Sequence, residues 1–257
     1  MSKFIIAIIS HGHLDYISGN VELQKISNRD DVTVIIKDNL KEKLLEALCK
    51  HTGYTYITSP EVLGFGENNN YCFDYAQKNI PTSSADWFLV VNPDVIIECK
   101  EFDKLVFELN NNDGDFFTPN LFKNNGYTTP ENSIRRFASF INLLNPFLLK
   151  PINTPYNKVY LKDKSCIEWA SGAFLCIKVD LFTAVNGFNG AYFMYYEDVD
   201  LCFRLMQKGV PLRFLKNIKA VHKGEYKNRS IFSKHFRWYL TSLFRFLIFQ
   251  SRYKVKG

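Results

Sequence analysis

No CxxC pair occurs among the six cysteines (Cys49, Cys72, Cys99, Cys166, Cys176 and Cys202), which lie scattered through 257 residues. That spacing signals neither a zinc site nor a disulfide framework, so a reducing compartment is expected. Long hydrophobic runs are missing too: no stretch approaches the roughly 20 apolar residues of a membrane span. The first apolar run, FIIAII, is too short for a signal-peptide core and runs straight into SHGH. A soluble or peripheral protein is therefore expected. The chain has no GxGxxG dinucleotide fingerprint, no phosphate loop ending in GK[ST], no internal repeat and no low-complexity segment. One absence is local. From Tyr226 to Gly257 there is no Asp or Glu, against eight Lys or Arg (Lys227, Arg229, Lys234, Arg237, Arg245, Arg252, Lys254, Lys256). The formal net charge of +6 thus divides into +8 on this stretch and −2 on the rest.

The N-terminal half is rich in short apolar runs separated by polar helical stretches. KFIIAIIS, DVTVIIKDN, YTYITS and DWFLVVNPDVII read as strands. YISGNVELQKI and LKEKLLEALCKH read as helices between them. Strands of this kind alternating with helices predict an α/β fold with a mainly parallel central sheet and helices on both faces. Such sheets bind ligands at the C-terminal ends of their strands. Ser10 to Gly12, Lys37 to Asn39, GFGENNN and Asn92 to Asp94 should therefore line one rim. Residues 110–165, rich in Asn, Pro and Lys, read as loops, with NNNDGDFFTP and LLKPINTPYNKVYLKDKS as the clearest cases. A strand, EWASGAFLCIK, follows, and later LRFL and IKAVH read as two more.

Three motifs carry chemistry. In VVNPDV, Asp94 stands just past a buried strand, where one carboxylate can hold a divalent metal against a diphosphate; Asn-Pro-Asp is equally an ordinary turn sequence. VHKG offers His222 at another strand end, as a second metal ligand or a structural histidine. In GFGENNN, Gly64 and Gly66 allow a tight backbone and one of Asn68 to Asn70 suits the N-cap of the following helix, whose first amides would suit a nucleotide.

In order and spacing, SHGHLDYI, GFGENNN, NPDV, SIRRF, WASGAF, VNGFNGAYFMYYEDVDLCFRL, AVHKG and NRSIFSKHFRWYLTSLFRFL resemble the inverting, GT-A-fold glycosyltransferases of family 2. The resemblance is closer still to the bacterial O-antigen rhamnosyltransferases that use dTDP-L-rhamnose, and it runs over almost the whole chain. It implies that Ser10, Asp38 and Asn69 lie around the base and ribose of the donor. Asn92 and Asp94 form a variant of the DxD metal motif, with Asn92 in place of the first acid. Asp94 and His222 would face Mg²⁺ or Mn²⁺ and the diphosphate. Trp169, Ser171, Gly172 and Glu197 would shape the acceptor side, Asp198 would be the general base, and Arg135 or Arg136 would touch a diphosphate or form a surface ion pair.

Helix geometry bears on the three crowded carboxylates of YEDVD. Successive helical residues turn by roughly 100°, so Asp198 and Asp200 point to nearly opposite sides and cannot serve one site. Val199, Cys202, Leu205 and Met206 form the expected buried stripe. Asp200, four residues before Arg204, has the spacing of a surface ion pair, and Glu197 is left to orient or cap.

The expected division is a catalytic domain over residues 1–225 and a basic amphipathic helical tail over 226–257. In that tail Phe232, Phe236, Tyr239 or Leu240, Leu243 and Leu247 fall at helical spacing among cations. The pattern suits an anionic membrane surface, with core packing as the competing reading, and no nucleic-acid-reading module accompanies the charge. The resemblance then implies an enzyme on the cytoplasmic face of the bacterial inner membrane that passes a sugar to a polyprenyl-diphosphate-linked acceptor. The alternatives are a UDP-hexose or UDP-galactofuranose donor, or a non-catalytic membrane-surface binding protein on the same fold.

Overall fold

The computed structural model describes residues 2–224 and 234–254. Its strands are β1 (Phe4–Ser10), β2 (Val32–Asp38), β3 (Thr55–Thr58), β4 (Trp87–Val91), β5 (Val95–Ile96), β6 (Phe116–Phe122), β7 (Ile134–Arg135), β8 (Ser165–Ile167), β9 (Trp169–Ala170), β10 (Phe174–Lys178) and β11 (Leu212–His222). Its helices are α1 (Leu14–Ser18), α2 (Val21–Ser27), α3 (Lys43–Thr52), α4 (Phe65–Asn79), α5 (Cys99–Asn111), α6 (Val179–Ala184), α7 (Glu197–Gln207) and α8 (Lys234–Lys254).

Every residue of β1 is buried, because the sheet is covered on both faces. Side chains alternate across a strand, so Ile5, Ala7 and Ile9 enter one core while Phe4, Ile6 and Ile8 enter the other. The main sheet runs β3-β2-β1-β4-β10-β6-β11. Its first four strands are parallel, β10 is antiparallel to both neighbours, and β6 and β11 are parallel again. Two short strands, β5 and β8, pair antiparallel with opposite ends of β11, and β7 pairs with β9 in a separate small sheet.

The expected mixture of strands and helices is present, with specific differences. The region read as loop contains β6, a fully buried strand between β10 and β11. Its sequence FFTPNLF hides it, because Pro119 cannot donate to a ladder. The structure accommodates Pro119 at a register shift in β11 between Leu215 and Lys219. Asn120 Nδ2 donates to the Lys216 carbonyl at 3.1 Å across this bulge. LRFL and IKAVH are consequently one bulged strand. The first predicted helix is broken in two at Gly19 and Asn20, where Asn20 caps α2 by accepting from Leu23 N at 3.0 Å.

The described part of the basic C-terminal segment, α8, packs against the catalytic unit. Leu243, Phe246 and Leu247 on α8 are completely enclosed and belong to the same core as α7. Phe246 meets Phe137, Tyr196 and Phe203 with ring centroids 5.6 to 5.8 Å apart. The helix thus closes the core on one side and leaves Arg237, Phe244, Arg245, Ile248 and Arg252 exposed on the other. The parts of the expected tail that carry Lys227, Arg229, Phe232 and Lys256 lie outside the described residues.

Candidate active site

Strand β4 ends at Val91, and the turn that follows is fixed by two backbone hydrogen bonds, Asn92 N to the Ala173 carbonyl at 2.9 Å and Val95 N to the Asn92 carbonyl at 3.1 Å. Val95 then pairs with His222, which brings Asp94 to the end of β11. Asp94 Oδ1 lies 3.3 Å from His222 Nε2, and Asp94 Oδ2 accepts from Gly224 N at 2.9 Å. The side-chain amide of Asn92 reaches the same imidazole nitrogen at 3.4 Å. On the far side of the ring, Nδ1 faces the Glu131 carboxylate at 2.9 Å.

Glu131 carries no motif in the sequence and sits in the stretch read as loop; its backbone N–H, donated to the Leu121 carbonyl at 3.0 Å, holds it beside β6. Burial alone would favour neutral His222, but the hydrogen bonds with Asp94 and Glu131 outweigh it and raise the imidazole to about 9. Asp94 is also pushed upward by burial, yet His222 more than offsets this and leaves its pKa lowered. The pocket therefore favours positive charge at this point.

A second cluster lies one residue away along the chain. Ala173 holds Asn92, and the preceding Gly172 donates its N–H to Asp198 Oδ2 at 3.0 Å. Gly172 is required here by space, since a Cβ would come within 2.7 Å of the Phe65 ring. Asp198 Oδ1 also accepts from Val199 N at 2.8 Å. The helix bearing it follows Tyr195 and Tyr196, whose φ values of 69° and 67° are unusual for aromatic residues and carry strain of the kind that collects at functional sites. Packing keeps that turn in place: the buried Tyr196 exchanges hydrogen bonds with the Asn153 side chain at 3.0 and 3.2 Å and stacks its ring against Tyr239 and Phe246.

The adjacent acids differ in their surroundings. Glu197 is buried, and both desolvation and the Asp198 charge push its pKa well above the ordinary carboxylate range. Asp198, partly open to solvent, is also raised by desolvation, but the N–H groups of Gly172 and Val199 and the charge of Arg135 favour its ionised form. Of the two, Glu197 is the one pushed further toward the protonated form, while Asp198 has the contacts that favour a carboxylate.

Asp200 points elsewhere, as helix phase requires. It pairs with Arg204 at 2.6 Å, but the pair is not on the surface: Asp200 is completely enclosed and the Arg204 side chain is 19% exposed. The other two arms of the guanidinium donate to the Val185 and Gly187 carbonyls, each at 2.7 Å, so the pair ties the preceding turn to α7. Met206, expected in the buried stripe, is exposed, while Leu201 and Phe203 are buried.

On the proposed nucleotide side, Ser10 and Asp38 are neighbours in the β1–β2 register, but both are enclosed. Ser10 Oγ accepts from His13 N at 3.2 Å. The Asp38 carboxylate accepts from Leu40 N at 2.8 Å, Glu42 N at 2.6 Å and the Tyr56 hydroxyl at 3.0 Å, which fixes the turn after β2. Asn69 lies buried inside α4 and donates back to the Phe65 carbonyl at 2.9 Å. These three shape the rim from behind.

None of the three asparagines caps α4. The helix starts after Gly64, whose N–H reaches the Glu67 carboxylate at 3.4 Å, and Phe65 N donates to the Phe193 carbonyl at 3.1 Å. A Cβ on Gly64 would sit 2.2 Å from that carbonyl oxygen, so the glycine serves close approach of α4 to the YFMYY turn and these amides are not open to phosphate. On the acceptor side, Trp169 is a buried wall whose indole N–H donates to the Arg136 carbonyl at 2.9 Å, with the Arg135 guanidinium 5.7 Å from its ring centre. Ser171 Oγ is enclosed without a partner. Arg136 pairs with Glu168 at 3.4 Å.

A half-parallel sheet of this order, with the Asp94–His222 pair beyond the ends of β4 and β11 and Asp198 tied to the neighbouring Gly172, has the GT-A architecture. Solved structures share the architecture at low identity. They include a mannosyltransferase of Pyrobaculum calidifontis in complex with GDP-Man and Mn²⁺ (TM-score 0.57, 10% identity, 88% of this chain and 58% of that one). Staphylococcus aureus TarS 1–349 with UDP-GlcNAc is similar (TM-score 0.56, 13% identity, 88% of this chain and 60% of that one). The chain thus spans about three fifths of the length of these structures. Residues 6–171 match the model of glycosyl transferase family 2. The rhamnosyltransferase WbbL of Escherichia coli K12 is 36% identical over 245 residues, covering 94% of this chain and 91% of that protein. The N-acetylglucosaminyl-diphospho-decaprenol L-rhamnosyltransferase of Mycobacterium tuberculosis is 30% identical over 145 residues, 53% of this chain and 47% of that one. The chain belongs to glycosyltransferase family 2 and is a glycosyltransferase.

Proposed function

We propose that this protein transfers L-rhamnose with inversion from dTDP-β-L-rhamnose to a hydroxyl of a polyprenyl-diphosphate-linked sugar, as a step in assembling O-antigen or a related cell-surface polysaccharide. The observation that carries the chemistry is the separation of roles between the two clusters joined by Gly172 and Ala173. Asp198, ionised and held by two N–H groups, takes the proton of the acceptor hydroxyl. That oxygen forms a bond to the anomeric carbon from one face as the bond to the diphosphate breaks on the other. Glu197, whose burial favours the neutral acid, leaves the basicity to Asp198, and Trp169, Ser171 and Gly172 wall the acceptor side.

Asp94 and His222 fit a divalent cation that takes the place of the proton between them, because a carboxylate oxygen and an imidazole nitrogen converge within 3.3 Å while Glu131 orients the ring from behind. Among the described residues no cage of three or more such side chains forms, so the remaining positions suit diphosphate oxygens and water. Mg²⁺ or Mn²⁺ bound there would supply positive charge to the departing diphosphate.

Similarity to two rhamnosyltransferases supports the choice of sugar, and the name of the mycobacterial relative supports a lipid-linked acceptor. None of the described helices is long and apolar enough to cross a membrane, which is compatible with a peripheral enzyme on the cytoplasmic face of the inner membrane, with the outer cations of α8 toward anionic lipid. Calorimetry with dTDP-, UDP- and GDP-sugars in the presence of Mg²⁺ tests the donor. The expected order places dTDP-rhamnose first. A preference for a UDP-hexose or UDP-galactofuranose would replace rhamnose in this reading, and no binding of any nucleotide sugar would favour a non-catalytic surface-binding role.

A further inference from the structure

The segment FINLLNPFLLK, residues 140–150, winds as a 3-10 helix from Phe140 to Leu148 and buries none of its residues. Phe140, Ile141, Leu144, Phe147, Leu148 and Leu149 all face solvent, and the last is 98% exposed, with Phe147 at 84% and Ile141 at 73%. So many large apolar groups on one short run form a patch of the kind that marks an interaction surface.

Three features identify what covers it. The segment satisfies several of its polar groups within itself. Asn142 Oδ1 accepts from Ser139 N at 2.8 Å, Asn145 Nδ2 donates to the Pro151 carbonyl at 2.9 Å, and Lys150 N donates to the Asn145 carbonyl at 2.9 Å. Backbone and amide groups closed in this way can enter a medium without water. Along the chain the charge beside it has one sign: from Asn132 to Lys162 there is no Asp or Glu, while Lys150 and Lys162 are exposed and Arg136, also exposed, has Glu168 as its partner at the base of the segment. Finally, the segment is rooted at the acceptor side. Strand β7 leads into it, Arg136 N is tied to the Thr154 carbonyl at 2.8 Å across its base, and Phe137 meets Phe246 of α8.

From these features we infer that residues 140–149 are an apolar wedge that inserts into an anionic bilayer and sets the Asp198 end of the site at the headgroup layer. Insertion of the apolar tips supplies the depth, and the cations beside them, with the outer arginines of α8, meet the lipid phosphates. The purpose given to the wedge rests on the lipid-linked acceptor proposed above; the membrane contact itself does not.

The test is sedimentation of the full chain with phosphatidylethanolamine–phosphatidylglycerol vesicles, with dTDP binding measured by calorimetry on the same preparations. The Ile141→Ser/Phe147→Ser/Leu149→Ser variant should lose vesicle affinity by about tenfold or more while keeping its melting temperature and its dTDP binding. Leu149→Asn gives a second reading. Leu149 has φ of 55°, a conformation that Asn tolerates and Leu does not favour, so this variant should melt no lower than the parent and still bind vesicles more weakly. The inference is overturned if the parent protein does not sediment with vesicles, or if the triple variant sediments as well as the parent. It is also overturned if the triple substitution converts a dimer to a monomer with vesicle binding unchanged, which would assign the patch to a second copy of the chain. Failure of the parent to bind dTDP would remove the dTDP-sugar donor proposed above and leave the vesicle result standing.

Discussion

Replacing Asp200 with Asn removes the negative charge from a pair that is enclosed on the Asp200 side and leaves the Arg204 guanidinium with neutral acceptors only, the amide oxygen and the Val185 and Gly187 carbonyls. An exposed pair at this spacing contributes about 0.3–0.5 kcal/mol. Breaking a buried pair costs about 3–5 kcal/mol, because the surviving charge stays desolvated. Arg204 keeps partial exposure and two carbonyl partners, and Asp200 itself is raised by desolvation, which shows that the intact pair already carries a burial penalty. The expected loss is therefore about 2–3 kcal/mol, which for a chain of this size lowers Tm by about 4–12 °C. Thermal unfolding followed by circular dichroism reads this directly, and dTDP binding at a temperature well below the transition should be near normal. A shift of under about 2 °C would refute the reasoning and place the pair in the exposed class. Normal stability combined with lost transfer would be worse for it, since Asp200 would then act in the chemistry.

Glu131→Gln removes the carboxylate that orients His222, and calorimetry should show Mn²⁺-supported dTDP binding weakened by about 10–100-fold, the usual effect of losing such a partner, whereas metal-free binding changes little. Equal losses with and without Mn²⁺ would make Glu131 a structural residue only. Phe246→Ala should destabilise the protein by about 3–5 kcal/mol in urea unfolding, because the ring is completely enclosed among Phe137, Tyr196 and Phe203. A cost below about 1 kcal/mol would return α8 to the status of a detachable tail.

The strands β1, β2 and β4 were legible because unbroken Ile, Val, Phe and Leu runs dictate strands covered on both sides, and the rim at their ends followed from that. Strand β6 was not legible, since Thr118, Pro119 and Asn120 look like turn residues until a bulge in a strand a hundred positions away receives them. Asp94, His222 and Asp198 stood out through motifs at strand and helix ends. Glu131 did not, because its role comes from a contact with His222 across 91 positions and from no local pattern. Helix phase separated Asp198 from Asp200 correctly but could not tell a buried ion pair from an exposed one, which depends on the turn at Val185 to Gly187. For α8, the periodicity revealed an apolar stripe; the identity of its cover, the aromatic face of α7 and the YFMYY turn, is a tertiary fact. Ser10, Asp38 and Asn69 show the converse, polar residues at a predicted rim that are enclosed and bond to backbone groups near them in the chain.

The central claim is that Asp198 is the base, and single-turnover transfer by Asp198→Asn at saturating dTDP-rhamnose tests it most directly. Asn keeps the size and can still accept from Gly172 N and Val199 N, so donor affinity should persist while the transfer rate falls by roughly 10²–10⁴. The parent enzyme should show a matching pH signature. Desolvation raises the Asp198 pKa, and the base works only when ionised, so the rate should fall as pH is lowered through a value above the ordinary aspartate range. That acid limb should vanish in the variant. Transfer by Asp198→Asn at the parent rate, with the acid limb unchanged, would contradict the assignment.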